Sequence, residues 1–256
     1  MMEFTDTHCH LFLPEFDPDR EAVIGRALEA GVTRMVLPNV DSTTVTALRE
    51  TACRWPENCF PLMGLHPTSV DAGFEKELAL VENWLNEGVY YGIGETGLDL
   101  YWDKTWIEQQ KEAFRVQLGW ASSRQLPVVI HVRDSLRETI EVIRQSGLSG
   151  LKGVFHCFTG SVEDARAVID LGFHLGIGGV STFKNGGLDQ VLPDIDPTHL
   201  VLETDSPYLA PVPHRGKRNE PAYLPLIAGQ VARIYGTTAG HIAELTSENA
   251  KTLFRV

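Results

Sequence analysis

Two histidines stand two residues apart near the start of the chain, in Thr5-Asp6-Thr7-His8-Cys9-His10. On a helix, residues two apart diverge by about 200°. On a strand, side chains alternate between faces, so His8 and His10 point the same way, with Asp6 one step behind them. Imidazoles converging at a strand end can chelate a metal ion, and a carboxylate behind them could orient a ring N–H. A pair of satisfied core histidines is the competing reading. Further polar residues decide between them: Glu95 in Gly94-Glu95-Thr96-Gly97-Leu98-Asp99, His131 in Ile130-His131-Val132-Arg133, His156, and Glu203 with Asp205 in Leu202-Glu203-Thr204-Asp205.

Something must bring these distant residues together. Strand-like apolar runs fall at 3–7, 34–38, 60–65, 90–94, 127–130, 153–155, 173–177 and 200–202. Amphipathic segments lie between them at 20–30, 43–54, 75–86, 106–124, 135–145 and 162–171, with a short, irregular link at 187–192. Two more helical stretches, 221–235 and 238–253, close the chain. The intervals suit a strand plus a crossover helix. Eight such units without a linker-like composition shift predict an α/β fold, a (β/α)₈ TIM barrel forming a single domain over 1–256. A doubly wound open sheet is the alternative, but it usually carries a glycine-rich phosphate loop after strand one, where this chain has His-Cys-His.

Barrel enzymes keep their chemistry at the carboxyl ends of the strands. His8, His10, Glu95, His131, His156 and Asp205 all fall at predicted strand ends. Unpaired charges are costly to bury, whereas a divalent cation neutralises carboxylates and uses imidazole lone pairs. Glu95 could bridge two ions. His66, also at a strand end, reads as a substrate contact or as packing. His174 and His199 lie at strand starts and read as structural, and His241 as a surface residue.

Bulk properties set outer limits. The 256 residues are 43% hydrophobic and 22% charged, as in a globular protein, and no apolar run reaches the ~20 residues of a membrane span. No membrane partner is expected. The amino terminus lacks a signal-peptide pattern, so the expected location is the cytoplasm. Cys9, Cys53, Cys59 and Cys157 form no CxxC pair and are expected as reduced thiols, with Cys9 and Cys157 as packing residues. A net charge of −12 excludes a broad basic surface for coating nucleic acid, though not a local basic patch. Nothing indicates an obligate protein partner, and a monomer is expected.

The set Asp6-Thr7-His8-Cys9-His10, Gly64-Leu65-His66-Pro67, Gly92-Ile93-Gly94-Glu95-Thr96-Gly97-Leu98-Asp99, Ile130-His131-Val132-Arg133, His156-Cys157-Phe158-Thr159-Gly160, Leu202-Glu203-Thr204-Asp205-Ser206-Pro207 and Pro213-His214-Arg215-Gly216-Lys217-Arg218-Asn219-Glu220-Pro221 closely resembles the TatD-type metal-dependent deoxyribonucleases of the amidohydrolase superfamily. The resemblance covers the whole chain in order. It implies a two-metal hydrolase, with His8, His10, Glu95 and Asp205 on one ion and Glu95, His131 and His156 on the other. It also implies DNA as substrate, single-stranded or frayed, cut one nucleotide at a time.

The chemistry follows from the residue types. Divalent ions acidify water and polarise the scissile group. Asp205 is the candidate to accept the water's proton, and Glu203, on the same face, assists it or orients neighbours. Arg133, two residues past His131, faces the same mouth and could hold a phosphate. Arg215, Lys217 and Arg218 form a basic run in an acidic chain, either a phosphate contact or a solvated loop. Tyr101 and Trp102 could stack on a nucleobase or pack within their loop. Four imidazoles suit Zn²⁺, Mn²⁺ or Co²⁺ better than Mg²⁺, while the resemblance points to Mg²⁺. The rival activity is hydrolysis of an amide, lactone or acyl ester at the same two-metal site.

Overall fold

The computed structural model describes residues 2–256. Eight strands run in order: β1 (Phe4–Asp6), β2 (Val32–Leu37), β3 (Cys59–Pro61), β4 (Ile93–Asp99), β5 (Val128–Arg133), β6 (Gly153–Phe155), β7 (Phe173–Ile177) and β8 (Leu200–Leu202). Helices alternate with them: α1 (Arg20–Glu29), α2 (Val45–Arg54), α3 (Phe74–Glu87), α4 (Ile107–Arg124), α5 (Leu136–Gln145), α6 (Val162–Asp170) and the four-residue α7 (Leu188–Val191). Helices α8 (Leu224–Tyr235) and α9 (Ala239–Phe254) complete the chain. Parallel ladders join β1 through β3 and β4 through β8. Two narrow seams close the ring. Met63 exchanges backbone hydrogen bonds with Gly92 and Gly94, while Thr7 and His8 bond Leu202 and Asp205. The result is the expected TIM barrel. Among the described residues, no helix is long and apolar enough to cross a membrane.

Two apolar layers hold the barrel. The larger lies between strands and helices. In α5, for example, Ile140, Val142 and Ile143 face inward while its charged residues face water. The smaller layer draws Val36, Val129, Val154 and Val201 from four strands, with Leu62 just past β3, and packs them against Leu253 and Phe254 of α9. Residues from so many strands meet only inside the ring, so α9 plugs its amino-terminal end. Burial of each side chain contributes about 1.5–3 kcal/mol. Counting upward in steps of two from this valine layer gives His131 and Arg133 on β5, His156 beyond β6, and Glu203 then Asp205 beyond β8. The same parity that fills the core therefore delivers polar residues to the mouth.

The expected boundary of β4 is corrected. The apolar run at 90–94 predicts an end at Gly94, but the strand continues to Asp99, because Thr96 to Asp99 pair with Ile130 to Arg133 of β5. Gly97 permits this: its φ is +135°, and a Cβ there would lie 2.1 Å from the His131 carbonyl oxygen. Propensity reasoning ends a strand at Gly-Glu-Thr-Gly, whereas here the glycines let β4 approach β5 more closely than a side chain allows.

Candidate metal centre

Glu95 lies at the middle of the mouth, buried, and its two carboxylate oxygens face different partners. Oε2 is 3.1 Å from His8 Nε2 and 3.5 Å from His10 Nε2. Oε1 is 2.9 Å from His131 Nδ1, 2.9 Å from His156 Nε2 and 3.3 Å from His66 Nε2. Asp205 Oδ1 completes the first group, 3.7 Å from both His8 and His10. Burial would raise the Glu95 carboxyl, but His156, His8 and His66 outweigh it and hold it well below the usual range. Burial pushes Asp205 up to about 6, against the pull of His156 and His10. Backbone bonds fix both residues. Glu95 N–H donates to the Asn39 carbonyl at 3.0 Å and Asp205 N–H to that of His8 at 2.8 Å. Asn39, fully buried, also reaches Gly64 through its side-chain amide. Asp205 has φ +56°, a conformation disfavoured by roughly 1–2 kcal/mol and seen at functional positions.

Several residues stand behind these groups. Asp6 meets neither imidazole, contrary to expectation: its oxygens accept the Thr204 N–H at 2.9 Å, the Thr204 hydroxyl at 2.6 Å and the His8 N–H at 3.2 Å. It ties β1 to the segment after β8. Glu203, expected among the catalytic groups, is wholly buried behind His156. Its Oε1 accepts the Cys157 N–H at 2.6 Å and lies 3.5 Å from His156 Nδ1, the ring nitrogen turned away from Glu95. Gly176 makes room for it, since a Cβ there would sit 2.3 Å from Glu203 Oε2. Cys9 is buried, as expected of a packing residue, and Cys157 is half-buried.

Asp99 was not singled out from the sequence. Its Oδ2 pairs with His131 Nε2 at 2.9 Å, turning that ring so that Nδ1 faces Glu95. Its Oδ1 accepts the N–H groups of Tyr101 and Trp102 at 3.0 and 3.2 Å. Gln110 of α4 pins the Asp99 peptide, accepting its N–H at 2.9 Å and donating to its carbonyl at 3.3 Å. Two turns along, Gln117 does the same for Leu65, just before His66. A glutamine inside an amphipathic helix, flanked by buried Ala113 and Phe114, is the only signal the sequence offered.

His66 points into the centre and is no mere packing residue. Its Nδ1 accepts the Thr68 N–H at 3.1 Å. Burial lowers its pKa, so the ring is neutral and its single proton sits on Nε2, the nitrogen facing Glu95. This tautomer makes His66 a hydrogen-bond donor toward the centre.

At the rim, the Arg133 guanidinium lies 3.9 Å from the Tyr101 ring centroid and 5.1 Å from that of Trp102. Arg215 lies over Phe183 at 4.4 Å, and Lys217 is exposed. Arg218 departs from the expected phosphate contact. Both its terminal nitrogens bond Asp19 at 2.8 Å and one also reaches the Glu15 carbonyl at 2.7 Å, so its charge is already neutralised and it anchors the loop. A cavity of about 630 Å³ opens on the opposite face beside Lys152, His174 and Arg255, and contains none of these groups.

The donor set fits a divalent cation. Three overlapping groups have ligand atoms mutually within 4.8 Å: His8, His10 and Glu95; His8, His156 and Asp205; and His66, Glu95 and His131. Imidazole nitrogens and carboxylate oxygens crowded this closely suit an ion in the zinc or manganese class. Similarity to known proteins agrees with that chemistry. A family model described as TatD related DNase matches residues 5–255. The chain belongs to the TatD family. It is 39% identical over 252 residues to the uncharacterized metal-dependent hydrolase YabD of Bacillus subtilis, covering 98% of each chain. It is 36% identical over 254 residues to the 3'-5' ssDNA/RNA exonuclease TatD of Rahnella, covering 94% of each. Among solved structures, the TatD homolog YJJV of Escherichia coli superposes with a TM-score of 0.93 at 28% identity, covering 100% of this chain and 99% of that one. As a TatD-family protein, the chain is a metal-dependent hydrolase with its candidate ligands at the carboxyl ends of the barrel strands.

Proposed function

We propose that this TatD-family hydrolase is a nuclease that cleaves phosphodiester bonds of DNA from an unpaired end with two divalent ions. The observation that carries the reading is the division of partners across the two Glu95 oxygens. His8, His10, Asp205 and one oxygen would hold the first ion; His131, His156 and the other oxygen would hold the second. Bound there, the ions supply acidified water and neutralise developing negative charge on the phosphate. Mg²⁺, Mn²⁺ and Zn²⁺ are the candidates. Glu95 would serve as ligand to both ions.

The chain's own groups do the rest. Asp205, beside His8 and His10, supplies the carboxylate that accepts a proton from the attacking water. The His66 Nε2–H donates to a phosphate oxygen, a role its tautomer favours over that of a fourth ligand on the second ion. Arg133 follows His131 by one strand period and brings a cation to the same side. Arg215 and Lys217 draw flanking phosphates to the mouth of a chain whose net charge repels them elsewhere. The exonuclease name of the Rahnella relative supports this substrate class and its unpaired end.

The test is end-labelled single-stranded and duplex DNA incubated with Mg²⁺, Mn²⁺ or Zn²⁺, beside an acyl ester and an N-acyl amino acid. Stepwise shortening of single strands, abolished by chelation, is the expected result. Hydrolysis of the ester or amide with DNA left intact would move the assignment to the amidohydrolase rival.

A further inference from the structure

Tyr101 and Trp102 are 53% and 69% exposed, and Trp102 is the more exposed of the two aromatic rings at this rim. They meet edge to face, with centroids 4.9 Å apart and planes at 87°. A tryptophan left in water forgoes a large apolar contact, and single exposed apolar residues are ordinary. Three further features separate this pair from that case. The Arg133 guanidinium already lies over the pair, 3.9 Å from the Tyr101 centroid and 5.1 Å from that of Trp102. The loop is not free, because Asp99 Oδ1 accepts both the Tyr101 and Trp102 N–H groups. The other oxygen of the same carboxylate holds His131, and the Arg133 carbonyl accepts the Leu100 N–H at 2.9 Å.

We propose that Tyr101, Trp102 and Arg133 form a stacking site for an unpaired nucleobase, held in register with the metal centre by the Asp99 carboxylate. The inference rests on the nuclease reading and names how the substrate is recognised. A base inside a duplex has both faces covered, so only a single strand or a frayed end can place one on the open face of Trp102. Arg133, 3.9 Å from the Tyr101 centroid, offers its N–H groups to the phosphate attached to that nucleotide. One carboxylate separates the stacked base from the ring of His131. The position of the base therefore sets the position of the phosphate.

The test compares two labelled strands of equal length and charge, oligothymidylate and an oligomer of abasic tetrahydrofuran residues. Both are titrated with Mg²⁺-loaded protein in an Asp205→Asn background so that neither is consumed. The parent of this series should prefer oligothymidylate. Trp102→Ala should weaken oligothymidylate binding about tenfold or more and leave the abasic strand unchanged, whereas Arg133→Ala should weaken both. Equal losses on both strands for Trp102→Ala, or no loss on either, would overturn the stacking site while leaving the nuclease reading intact. A parent that binds neither strand overturns the nuclease reading and the stacking site with it.

Discussion

Asp99→Asn separates two jobs that one carboxylate performs. In the native protein Oδ1 accepts two loop N–H groups at 3.0 and 3.2 Å, and Oδ2 pairs with His131 Nε2 at 2.9 Å. An asparagine has one acceptor oxygen and one donor NH₂. Two backbone donors claim the oxygen, which leaves the NH₂ facing His131 Nε2. That nitrogen must then offer its lone pair, and the ring proton moves to Nδ1, the atom 2.9 Å from Glu95 Oε1. A protonated Nδ1 cannot ligate an ion. Loss of such an outer partner typically weakens metal affinity 10–100-fold, or about 1.4–2.8 kcal/mol. Gln110 and the retained oxygen still anchor the Asp99 backbone and the loop, so the urea midpoint of the ion-free protein should change little. Competition against a chromogenic chelator with Mn²⁺ reads the affinity directly. Unchanged Mn²⁺ affinity in a folded Asp99→Asn protein would refute the tautomer argument and the role given to Asp99.

Asp205→Asn should lower turnover on single-stranded DNA by at least ~10²-fold with a smaller change in KM, because a proton acceptor acts chiefly in the transition state. Steady-state kinetics with metal content measured in parallel checks this, and turnover within a few-fold of the parent removes Asp205 as base. Replacing Arg215 and Lys217 with Ala should flatten the log–log salt dependence of single-strand binding by about 1.4, at ~0.7 per phosphate contact. Arg218→Ala should leave that slope unchanged because its guanidinium is paired with Asp19, and a slope change equal to that of a free cation would contradict the pairing. Burial pushes Asp6 up to about 8 despite its three donated hydrogen bonds. Between its unfolded value near 3.9 and about 8, the folded state then binds more protons than the unfolded one, so its stability contribution is present at low pH and lost as pH rises through about 8. Urea midpoints from pH 5 to 9 should show the parent losing stability relative to Asp6→Asn, and parallel curves would contradict the burial effect.

Most of the framework was legible because barrel parity is a sequence property. Alternation carries Val129 to His131 and Arg133, and Val201 to Glu203 and Asp205, so residue types alone place the ligands on one face. What the sequence hid depends on atoms meeting across the ring. Asp6 and Glu203 carry the same carboxylate as Glu95, yet one bonds Thr204 and the other backs His156, and only the β1–β8 seam and the space over Gly176 decide that. Gln110 and Gln117 satisfy the Asp99 and Leu65 peptide groups, a need invisible without the ladders. Arg218 sits in a basic run, but its partner Asp19 is 199 positions away in the chain. The run 90–94 was too short because glycine weakens a strand by propensity, while at Gly97 it enables the close β4–β5 contact.

On the proposed reading, the Glu95 carboxylate serves two ions. Metal stoichiometry of the reconstituted parent and of Glu95→Ala, each measured beside DNA hydrolysis and circular dichroism, tests it directly. Two ions per chain in the parent, and loss of tight binding at both sites with hydrolysis nearly abolished in a folded variant, is the predicted result. Two tightly held ions and undiminished hydrolysis in Glu95→Ala would contradict it.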